Sequence, residues 1–338
     1  MKILFISHSS VLKNHQQKLE ILREKYGHEI TLAAPPFWPE GGPDAPFYRG
    51  GRINYRTGKT LFFRKRMLHF YIDAQAIIRS VQPDIVHVEE EPFTPACWQF
   101  VSAAKRDGKK TLFFTWENME RKHNALYTYF DNYCIKNSNA AIAGNAEAKA
   151  ILEKKGFKGP LEIIPQYGVN LEDFIGRQVK PVKNQYNIAY IGRLAPEKGI
   201  ETITSALRNT KGLKLHIAGS GDTERVKAAA ASMGLADKAE IHGNIDRDKI
   251  PEFLSKMDIL VLPSLTTPRW KEQFGRVLIE AMAAKVPVIG SDSGEIPNVI
   301  GDAGLIFREA SPLDLASKII SLVSDEKLYM DCVKRGYE

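Results

Sequence analysis

Two short segments in the second half of the chain carry residues suited to holding a diphosphate. In the first, residues 190–199, a predicted strand ends at Gly192, and Arg193 and Lys198 follow before a helix begins. A guanidinium binds two phosphate oxygens with its planar fork, whereas an ammonium acts as a point charge. Solvated charges in an ordinary turn would give the same sequence, so this segment alone leaves both interpretations open.

The second segment, residues 272–280, leads into a predicted helix and carries two carboxylates. Glu272 precedes the helix, and Glu280 lies inside it in an otherwise apolar stretch. Gly275, near the start of the helix, would let backbone N–H groups approach an anion closely. A carboxylate in apolar surroundings needs a partner. For Glu280 that partner is either a ligand hydroxyl or a neighbouring cation.

The composition indicates a globular protein of two domains. The chain has 338 residues, of which 43% are hydrophobic and 26% charged, and domains usually have about 100–200 residues. No apolar run reaches the roughly 18 residues of a membrane span, and the apolar start turns polar too early for a signal peptide. The three scattered cysteines predict neither a disulfide framework nor a zinc site. We therefore expect a soluble, cytoplasmic protein.

Short β-branched runs alternate with helical stretches along the whole chain, which is typical of βαβ units and parallel sheets. The predicted strands are 2–7, 29–33, 84–88, 111–115, 140–143, 161–164, 187–191, 213–218, 240–241, 259–262 and 287–289. The predicted helices are 14–25, 72–81, 97–106, one from about 122, 146–155, 200–207, 223–232, 249–257, 275–284 and 312–323. A polar stretch with Pro and Gly, residues 166–183, interrupts the pattern and indicates a domain junction.

Several segments together resemble one enzyme family. The segments 192–199 and 272–280 look like the donor-binding motifs of glycosyltransferase family 4, the retaining nucleotide-sugar transferases. Residues 84–88 resemble that family's acceptor-domain strand, residues 164–170 its inter-domain signature and residues 291–298 its Gly-Gly-x-Pro-Glu loop. Two departures are Asn298, where a Glu is usual, and a loop at residues 9–12 without the Gly-Gly pair of many relatives.

The resemblance implies an α/β protein with the GT-B fold, in which two tandem Rossmann-like doubly wound domains face a central cleft. The predicted domains are an acceptor-binding domain, residues 1–172, and a donor-binding domain, residues 173–338. The implied donor-binding residues are Gly192, Arg193, Lys198, Glu272, Phe274, Gly275, Arg276, Val277 and Glu280.

Each of these residues takes an implied role from the resemblance. Arg193 and Lys198 would neutralise the diphosphate and support it as leaving group, and Glu272 would hydrogen-bond the donor sugar. Glu280 would hold the ribose hydroxyls, and the backbone amides at the start of the helix would hold sugar and phosphate. Preorganised cations and N–H groups stabilise the charge that develops on the leaving phosphate, so no metal or other cofactor is expected. The only Asp-x-Asp, at residues 246–248, is interpreted as a helix N-cap.

The acceptor side is less defined. Relatives often carry a His after the strand that corresponds to residues 111–115, whereas this chain has Glu117 nearby, which would take over part of that catalytic role. His8 and His87 lie at predicted strand ends and are acceptor-side candidates, or else ordinary structural histidines. The triplet at residues 89–91 would meet a polar acceptor or form a solvated acidic loop.

A basic stretch, residues 49–71, predicts a partner with negative charge. Between Asp44 and Asp73 there is no acidic residue, and three consecutive cations stand among large apolar side chains at residues 61–71. This mixture suits an anionic membrane surface, so we expect peripheral attachment at the inner face of the membrane. The alternatives are a helix with its cations on the wet face, and a phosphate-bearing acceptor.

The sequence thus favours a retaining, metal-independent hexosyltransferase that moves a sugar from a UDP- or GDP-sugar to an acceptor hydroxyl, on a lipid-linked or glycan acceptor. Rival functions are a nucleotide-sugar epimerase of the same fold and, given a pI near 9.1, a non-catalytic nucleic-acid or phosphate-binding protein. No nucleic acid is expected as partner. A dehydrogenase is disfavoured because the triplet at residues 219–221 lacks the third glycine of a dinucleotide motif.

Overall fold

The protein is described by a computed structural model that covers residues 1–338 except 40–43, 66, 175–178, 180–182 and 209. The chain divides into two compact units, Met1–Ile164 and Pro165–Glu338. Each unit contains its own parallel sheet with helices. Arg66, one of the three consecutive cations of the predicted membrane segment, lies outside the described residues.

The first unit is built on a seven-stranded parallel sheet of order β11-β10-β9-β8-β1-β2-β5. Its strands are β1 (Lys2–Ile6), β2 (Glu29–Ala34), β3 (Phe37–Pro39), β4 (Asp44–Pro46), β5 (Asn54–Thr57), β6 (Thr60–Leu61), β7 (Phe70–Tyr71), β8 (Ile85–Val88), β9 (Lys110–Thr115), β10 (Ala140–Ala143) and β11 (Leu161–Ile163). Its helices are α1 (Gln17–Tyr26), α2 (Ala74–Val81), α3 (Pro95–Arg106), α4 (Ala125–Asn137) and α5 (Ala146–Lys154). The short strands β3–β4 and β6–β7 form two antiparallel pairs outside the main sheet.

The central strands of this sheet are buried on both faces, which explains their nearly continuous apolar sequences. Helix α3 shows how the covering helices are set. Thr94 caps its first turn by accepting a hydrogen bond from the Cys97 amide, and Pro95 occupies the first helical position. Phe100 and other apolar side chains of α3 then pack into the core with residues of β1 and β8.

The second unit contains a six-stranded parallel sheet of order β14-β13-β12-β15-β16-β17. Its strands are β12 (Tyr186–Ile191), β13 (Leu213–Ala218), β14 (Ala239–Gly243), β15 (Ile259–Leu262), β16 (Val288–Ser291) and β17 (Gly304–Phe307). Its helices are α6 (Ile200–Leu207), α7 (Thr223–Ser232), α8 (Ile250–Ser255), α9 (Arg276–Ala283), α10 (Ile296–Ile300), α11 (Pro312–Ser324) and α12 (Glu326–Tyr337). The strand order reverses between β12 and β15, and ligands of doubly wound sheets bind beyond the carboxyl ends of such strands.

The predicted fold class is confirmed, because each unit is a Rossmann-like domain with a doubly wound parallel sheet. The bounds of α6, β13, α7 and β15 are those predicted. The sequence missed β5, which extends the first sheet, and it missed α10, β17 and the second C-terminal helix, α12. The strands β5 and β17 and the helix α10 are each only four or five residues long, whereas α12 has 12 residues and buries Tyr329, Cys332 and Val333 on one face. The N-cap interpretation of Asp246 is wrong for its side chain, which makes no capping hydrogen bond.

The helical alternative for residues 61–71 is also wrong. The segment forms part of the β6–β7 hairpin, because Thr60 pairs with Tyr71 and Leu61 with Phe70. In the part of the chain that the structure describes, no helix has the length and apolar character needed to cross a bilayer.

Gly199, which precedes α6, provides a test of how tightly the second unit is packed. Its backbone is left-handed at φ +65°, and a Cβ there would lie 2.1 Å from the carbonyl oxygen of Pro263, just after β15. Gly234 has φ +70° with nothing within 4 Å of its Cβ position. Gly234→Ala should cost roughly 1–2 kcal/mol for the left-handed backbone. Gly199→Ala should cost that and roughly 1–3 kcal/mol more for overpacking.

Urea unfolding followed by circular dichroism measures both losses, and Gly234→Ala serves as the matched control. Equal free energies of unfolding for the two variants would contradict the packing described at Gly199.

Candidate functional site

The carboxyl ends of β12 and β15 bring together two of the residues singled out in the sequence. The Nζ atom of Lys198 lies 2.6 Å from Oε2 of Glu272. The Ser264 hydroxyl donates to the same oxygen over 2.7 Å, and the Lys198 ammonium also stands 4.3 Å from the centroid of the Trp270 ring. The Lys198 and Glu272 side chains are only 13% and 11% exposed. The predicted cation and carboxylate therefore form one nearly buried pair.

The loop after β12 directs Arg193 toward solvent. Its guanidinium is 62% exposed and pairs with Glu197 over 3.1 Å. The backbone of this loop is held by Tyr190 of β12, whose hydroxyl donates to the Arg193 carbonyl over 2.7 Å. Burial raises the pKa of Tyr190, so it remains a neutral donor. Arg193 is thus anchored through its backbone while its charge stays accessible.

The glycines near this loop allow two backbones to touch. A Cβ on Gly219 would lie 1.7 Å from the carbonyl oxygen of Gly192, and the Leu194 amide donates to the Ser220 carbonyl over 2.8 Å. Gly221 forms an isolated β-bridge with Leu194. Gly219 and Gly221 therefore serve the close packing of two loops.

The start of α9 combines a glycine-led turn with a paired carboxylate. Gly275 precedes the helix with a left-handed backbone, φ +79°. The Nε atom of Arg276 lies 2.9 Å from Oε1 of Glu280, so the cation-partner interpretation of Glu280 holds in this structure. Burial raises the pKa of Glu280, and Arg276 opposes that effect.

Further apolar and aromatic side chains surround this turn. Val277, in the first turn of α9, packs into the core of the unit. The buried Phe274 lies 5.8 Å from the ring of Tyr167, and the Arg276 guanidinium lies 5.7 Å from the same ring. In the sequence, Tyr167 is only one residue of the segment 164–170 that resembles the inter-domain signature. Its place beside the turn at Gly275 is a tertiary contact, so its aromatic character was the only signal in the sequence.

The loop at residues 291–298 supports Glu272 from its backbone side. The Glu295 amide donates to the Glu272 carbonyl over 3.1 Å. Gly294 has φ +55°, and a Cβ there would lie 2.1 Å from that carbonyl oxygen. The Ser291 hydroxyl donates to the Ser264 carbonyl over 2.6 Å. This loop therefore positions both Glu272 and the serine that hydrogen-bonds it.

In the first unit, the ends of β1 and β8 place His8 against Glu90 of the acidic triplet at residues 89–91. Glu89 and Glu90 are buried, so the alternative of a solvated acidic loop is wrong for these two residues. Glu90 accepts from the His8 backbone amide over 2.9 Å and faces Nδ1 of the ring over 2.6 Å. His69 Nε2 lies 3.6 Å from Oε1 of Glu90, the oxygen that accepts from the His8 amide. Trp38 packs on the His8 ring with centroids 4.3 Å apart. Burial works against ionisation, but the two imidazoles hold the pKa of Glu90 well below its usual range.

His87 occupies a different environment from His8. It packs on Phe5 inside the sheet, with ring centroids 4.5 Å apart, and burial lowers its pKa to about 4. The neighbouring Glu89 pairs with Lys18. His87 is therefore a neutral, interior residue, whereas His8 lies beyond the carboxyl end of β1 with a fixed orientation.

Glu117 lies in a buried ionic network. Its carboxylate contacts Nε2 of His123 over 3.1 Å and pairs with Lys155, which also pairs with Asp131 over 2.7 Å. This network ties the loop after β9 to α4 and to the end of α5.

A second carboxylate, Glu91, is bonded to the same loop. It accepts from the Thr115 hydroxyl over 2.5 Å and from the Trp116 amide over 2.9 Å. Burial raises the pKa of Glu91 to about 7. Glu91 and Glu117 thus both hold the segment that follows β9.

The two units offer complementary chemistry. The second unit presents cations and helix N–H groups, which suit an anion. The first presents a histidine whose tautomer is set by Glu90, because an ionised carboxylate only accepts hydrogen bonds and so requires the proton on Nδ1. In the neutral imidazole, Nε2 is then left to accept a hydrogen bond, for example from a hydroxyl.

Comparison with known proteins agrees with this chemistry. Residues 172–338 match the family described as glycosyl transferases group 1, and residues 22–173 match glycosyltransferase family 4. An uncharacterised glycosyltransferase of Methanocaldococcus jannaschii is 24% identical over 64% of this chain and 59% of its own length. A GDP-mannose-dependent phosphatidylinositol monomannoside mannosyltransferase of Mycobacterium tuberculosis is 31% identical over 41% of this chain and 38% of its own length. The chain therefore aligns with less than two thirds of either relative.

Among solved structures, Anabaena HepE in complex with UDP has a TM-score of 0.75 at 16% identity, covering 100% of this chain and 94% of HepE. At this level of identity the likeness concerns the fold.

The raised pKa of Glu91 predicts a pH dependence of stability. Between about 4.5 and about 7 the folded state keeps a proton that the unfolded state has lost, so the free energy of unfolding should fall as pH rises through this window. Glu91→Gln keeps the size and mimics the neutral, protonated carboxyl, because its amide has one accepting oxygen and one donating group. Relative to the wild type it should gain up to about 3 kcal/mol between pH 4 and pH 8.

Urea unfolding at pH 4, 6 and 8 measures this gain. Glu162→Gln, at an exposed carboxyl on β11, is the control and should run parallel to the wild type. A Glu91→Gln curve that also runs parallel would rule out the raised pKa.

Proposed function

Because the chain belongs to the group 1 and family 4 glycosyltransferases, we propose that it is a retaining, metal-independent transferase. It moves a sugar from a nucleoside-diphosphate sugar to an acceptor hydroxyl. The observation that carries the proposal is the nearly buried Lys198–Glu272 pair beside the glycine-led start of α9. The cation and the helix N–H groups suit the diphosphate, and the carboxylate suits the sugar hydroxyls. All of them lie beyond the carboxyl ends of β12 and β15.

The donor replaces contacts that the protein now makes with itself. Lys198 pairs with the diphosphate in place of Glu272. The exposed guanidinium of Arg193 binds the same diphosphate. Glu272, released in part from Lys198 and still held by Ser264, accepts hydrogen bonds from sugar hydroxyls. Glu280 accepts hydrogen bonds from the ribose hydroxyls while it remains paired with Arg276. HepE was solved with UDP and the mycobacterial relative is GDP-mannose-dependent, so a nucleoside diphosphate is supported without a choice of base.

Transfer proceeds by attack on the face from which the phosphate leaves. The acceptor oxygen bonds to the anomeric carbon, the bond from that carbon to the phosphate oxygen breaks, and the hydroxyl proton passes to the departing phosphate. Cations and helix N–H groups stabilise the charge on the leaving group. On the acceptor side, Nε2 of His8 accepts a hydrogen bond from the acceptor hydroxyl or from a neighbouring hydroxyl. Glu117 acts through Lys155, which fixes the loop after β9.

Removing the donor-site charges tests the assignment. Lys198→Ala, Arg193→Ala and Glu272→Ala should each lower donor turnover by about 10²–10³, because each removes a preorganised charge contact. Lys227→Ala, an exposed cation on α7, is the matched control. Nucleotide-sugar hydrolysis is the assay because it needs no acceptor, and titration calorimetry with UDP, GDP, ADP and an oligonucleotide identifies the ligand.

Wild-type turnover in the Arg193–Lys198 double variant would refute the site. Binding of the oligonucleotide without preference for a diphosphate would favour the nucleic-acid alternative instead.

The stereochemistry and the role of metal form a separate prediction. Turnover should survive EDTA, because protein cations neutralise the diphosphate. The product should keep the anomeric configuration of the donor, as NMR of the product measures. Inversion, or a strict requirement for Mg²⁺ or Mn²⁺ restored by adding the ion back, would contradict the proposed mechanism while leaving the donor site in place.

We further propose that the acceptor is presented at an anionic membrane surface. In the β6–β7 hairpin, Leu61, Phe62 and Leu68 are 46%, 59% and 41% exposed. Lys65 lies between them, and Arg64 pairs with Asp44 while remaining 70% exposed. Exposed apolar side chains with neighbouring cations suit the headgroup region. The phosphatidylinositol-linked substrate in the name of the mycobacterial relative supports a lipid acceptor.

Cosedimentation with vesicles tests this attachment. Binding should require anionic lipid, and Phe62→Ser should weaken it several-fold. Arg64→Ser with Lys65→Ser should weaken it about 30-fold, since each basic residue contributes about 1 kcal/mol at such a surface. Ile21→Ser, at a 49% exposed position on α1, is the control. Equal binding by the hairpin variants and the control, or no binding to either lipid, would reject the membrane proposal.

A further inference from the structure

One edge of the second sheet carries a compact cluster of two histidines and a glutamate that the proposed transfer does not use. His216 lies on β13, and Glu240 and His242 lie on the edge strand β14. Residues two apart on a strand share a face, and Glu240 is the register partner of His216. One potential ligand atom from each residue lies within 4.8 Å of the others. The pairing of β13 with β14, whose register shifts at His242, thus brings the three side chains together.

The tautomer of His216 is set by its neighbour on β12. The Asn187 side-chain amide donates to the Lys256 carbonyl over 3.0 Å, which turns its oxygen toward Nε2 of His216, 3.3 Å away. A carbonyl oxygen only accepts, so Nε2 carries the proton and Nδ1 presents a lone pair. A histidine whose second nitrogen donates to such an oxygen is oriented as a metal ligand usually is.

The lone pair of His216 faces a second imidazole. Its Nδ1 lies 3.0 Å from Nε2 of His242 and 3.8 Å from Oε2 of Glu240. In a tetrahedral zinc site with bonds of about 2.0–2.1 Å, neighbouring ligand atoms stand about 3.3 Å apart. The observed separations of 3.0 Å and 3.8 Å lie on either side of this spacing. Without a metal, one proton between the facing nitrogens serves as their link, and a metal ion can take its place.

The cluster is also accessible. The side chains of Glu240 and His242 are 48% and 25% exposed, whereas His216 is 9% exposed. Lys214 pairs with Oε2 of Glu240 over 2.7 Å, so this surface cation has to yield that oxygen to the metal. Lys214 is itself 37% exposed, and solvent can receive it.

We infer that His216, Glu240 and His242 bind one divalent transition-metal ion of the zinc class, with solvent as the fourth ligand. Two imidazoles and one carboxylate are a usual donor set for zinc. The ion would clamp the edge strand β14 to β13. The inference is independent of the proposed glycosyl transfer, for which no metal is needed.

A second histidine–glutamate cluster, in the first unit, lacks this openness. His69 is fully buried there, and both oxygens of Glu90 already face the His8 backbone amide and ring. Substitution of His8 therefore tells the two clusters apart.

Calorimetric titration of the untagged, metal-free full chain with Zn²⁺ tests the site. We expect one ion per chain. His242→Ala and Glu240→Gln should each weaken binding at least tenfold, and Asn187→Ala should weaken it about 10–100-fold through loss of the orienting hydrogen bond. His28→Ala, at a partly exposed histidine of the first unit, is the matched control. Co²⁺ should give the visible absorption of a tetrahedral site in the wild type and not in His242→Ala.

Thermal unfolding provides a second readout, because an ion that binds the folded state raises the Tm. Zn²⁺ should raise the Tm of the wild type and of His28→Ala, but not that of His242→Ala, when each protein is compared with its own metal-free Tm. Three results would overturn the inference: no Zn²⁺ binding by the wild type, unchanged binding by His242→Ala, or loss of binding in His8→Ala instead.

Discussion

The ion pair between Lys198 and Glu272 is the interaction on which the second unit's site depends. Taking two charges out of water is costly unless each finds compensating hydrogen bonds, and Ser264 supplies one to the shared carboxylate oxygen. The pair forms because β12 and β15 are neighbours in the sheet, so the loops that follow them leave from the same edge. Gly199 and Gly294 then let those loops approach backbone carbonyls where a side chain would not fit. Strand order and loop packing therefore determine where the two charges lie. A bound diphosphate would replace Glu272 as the partner of Lys198.

The buried carboxylates of the first unit also need compensating partners. Glu90 stays ionised because two histidines face it, and Glu117 is compensated by His123 and Lys155. Glu91 accepts hydrogen bonds from neutral groups of the chain, and burial dominates its pKa. Three carboxylates near the ends of adjacent strands thus differ in what they can do. One fixes a histidine, one fixes a loop, and one can hold a proton near neutral pH.

Much of the fold could be predicted from the sequence wherever an element is buried. The bounds of β13 and β15 follow from apolar runs, because a strand covered on both faces needs a continuous apolar sequence. The β5 strand, the β6–β7 hairpin and α10 could not be predicted in this way. They are short, and β5 and the hairpin are polar or partly exposed. Their conformation depends on what they pair with, which periodicity does not report.

The sequence by itself determined which residue types are at hand: cations, carboxylates and a helix-leading glycine of the kinds that suit a diphosphate, on two α/β units. It also determined the local pair of Arg276 and Glu280, since residues four apart on a helix are neighbours. Only the tertiary structure decided that Lys198 pairs with Glu272, 74 positions away, that Glu90 orients His8, and that His216 meets His242 across two strands. Such contacts are fixed by strand order and register. These arise from the packing of the whole sheet and leave no mark in the spacing of residues along the chain.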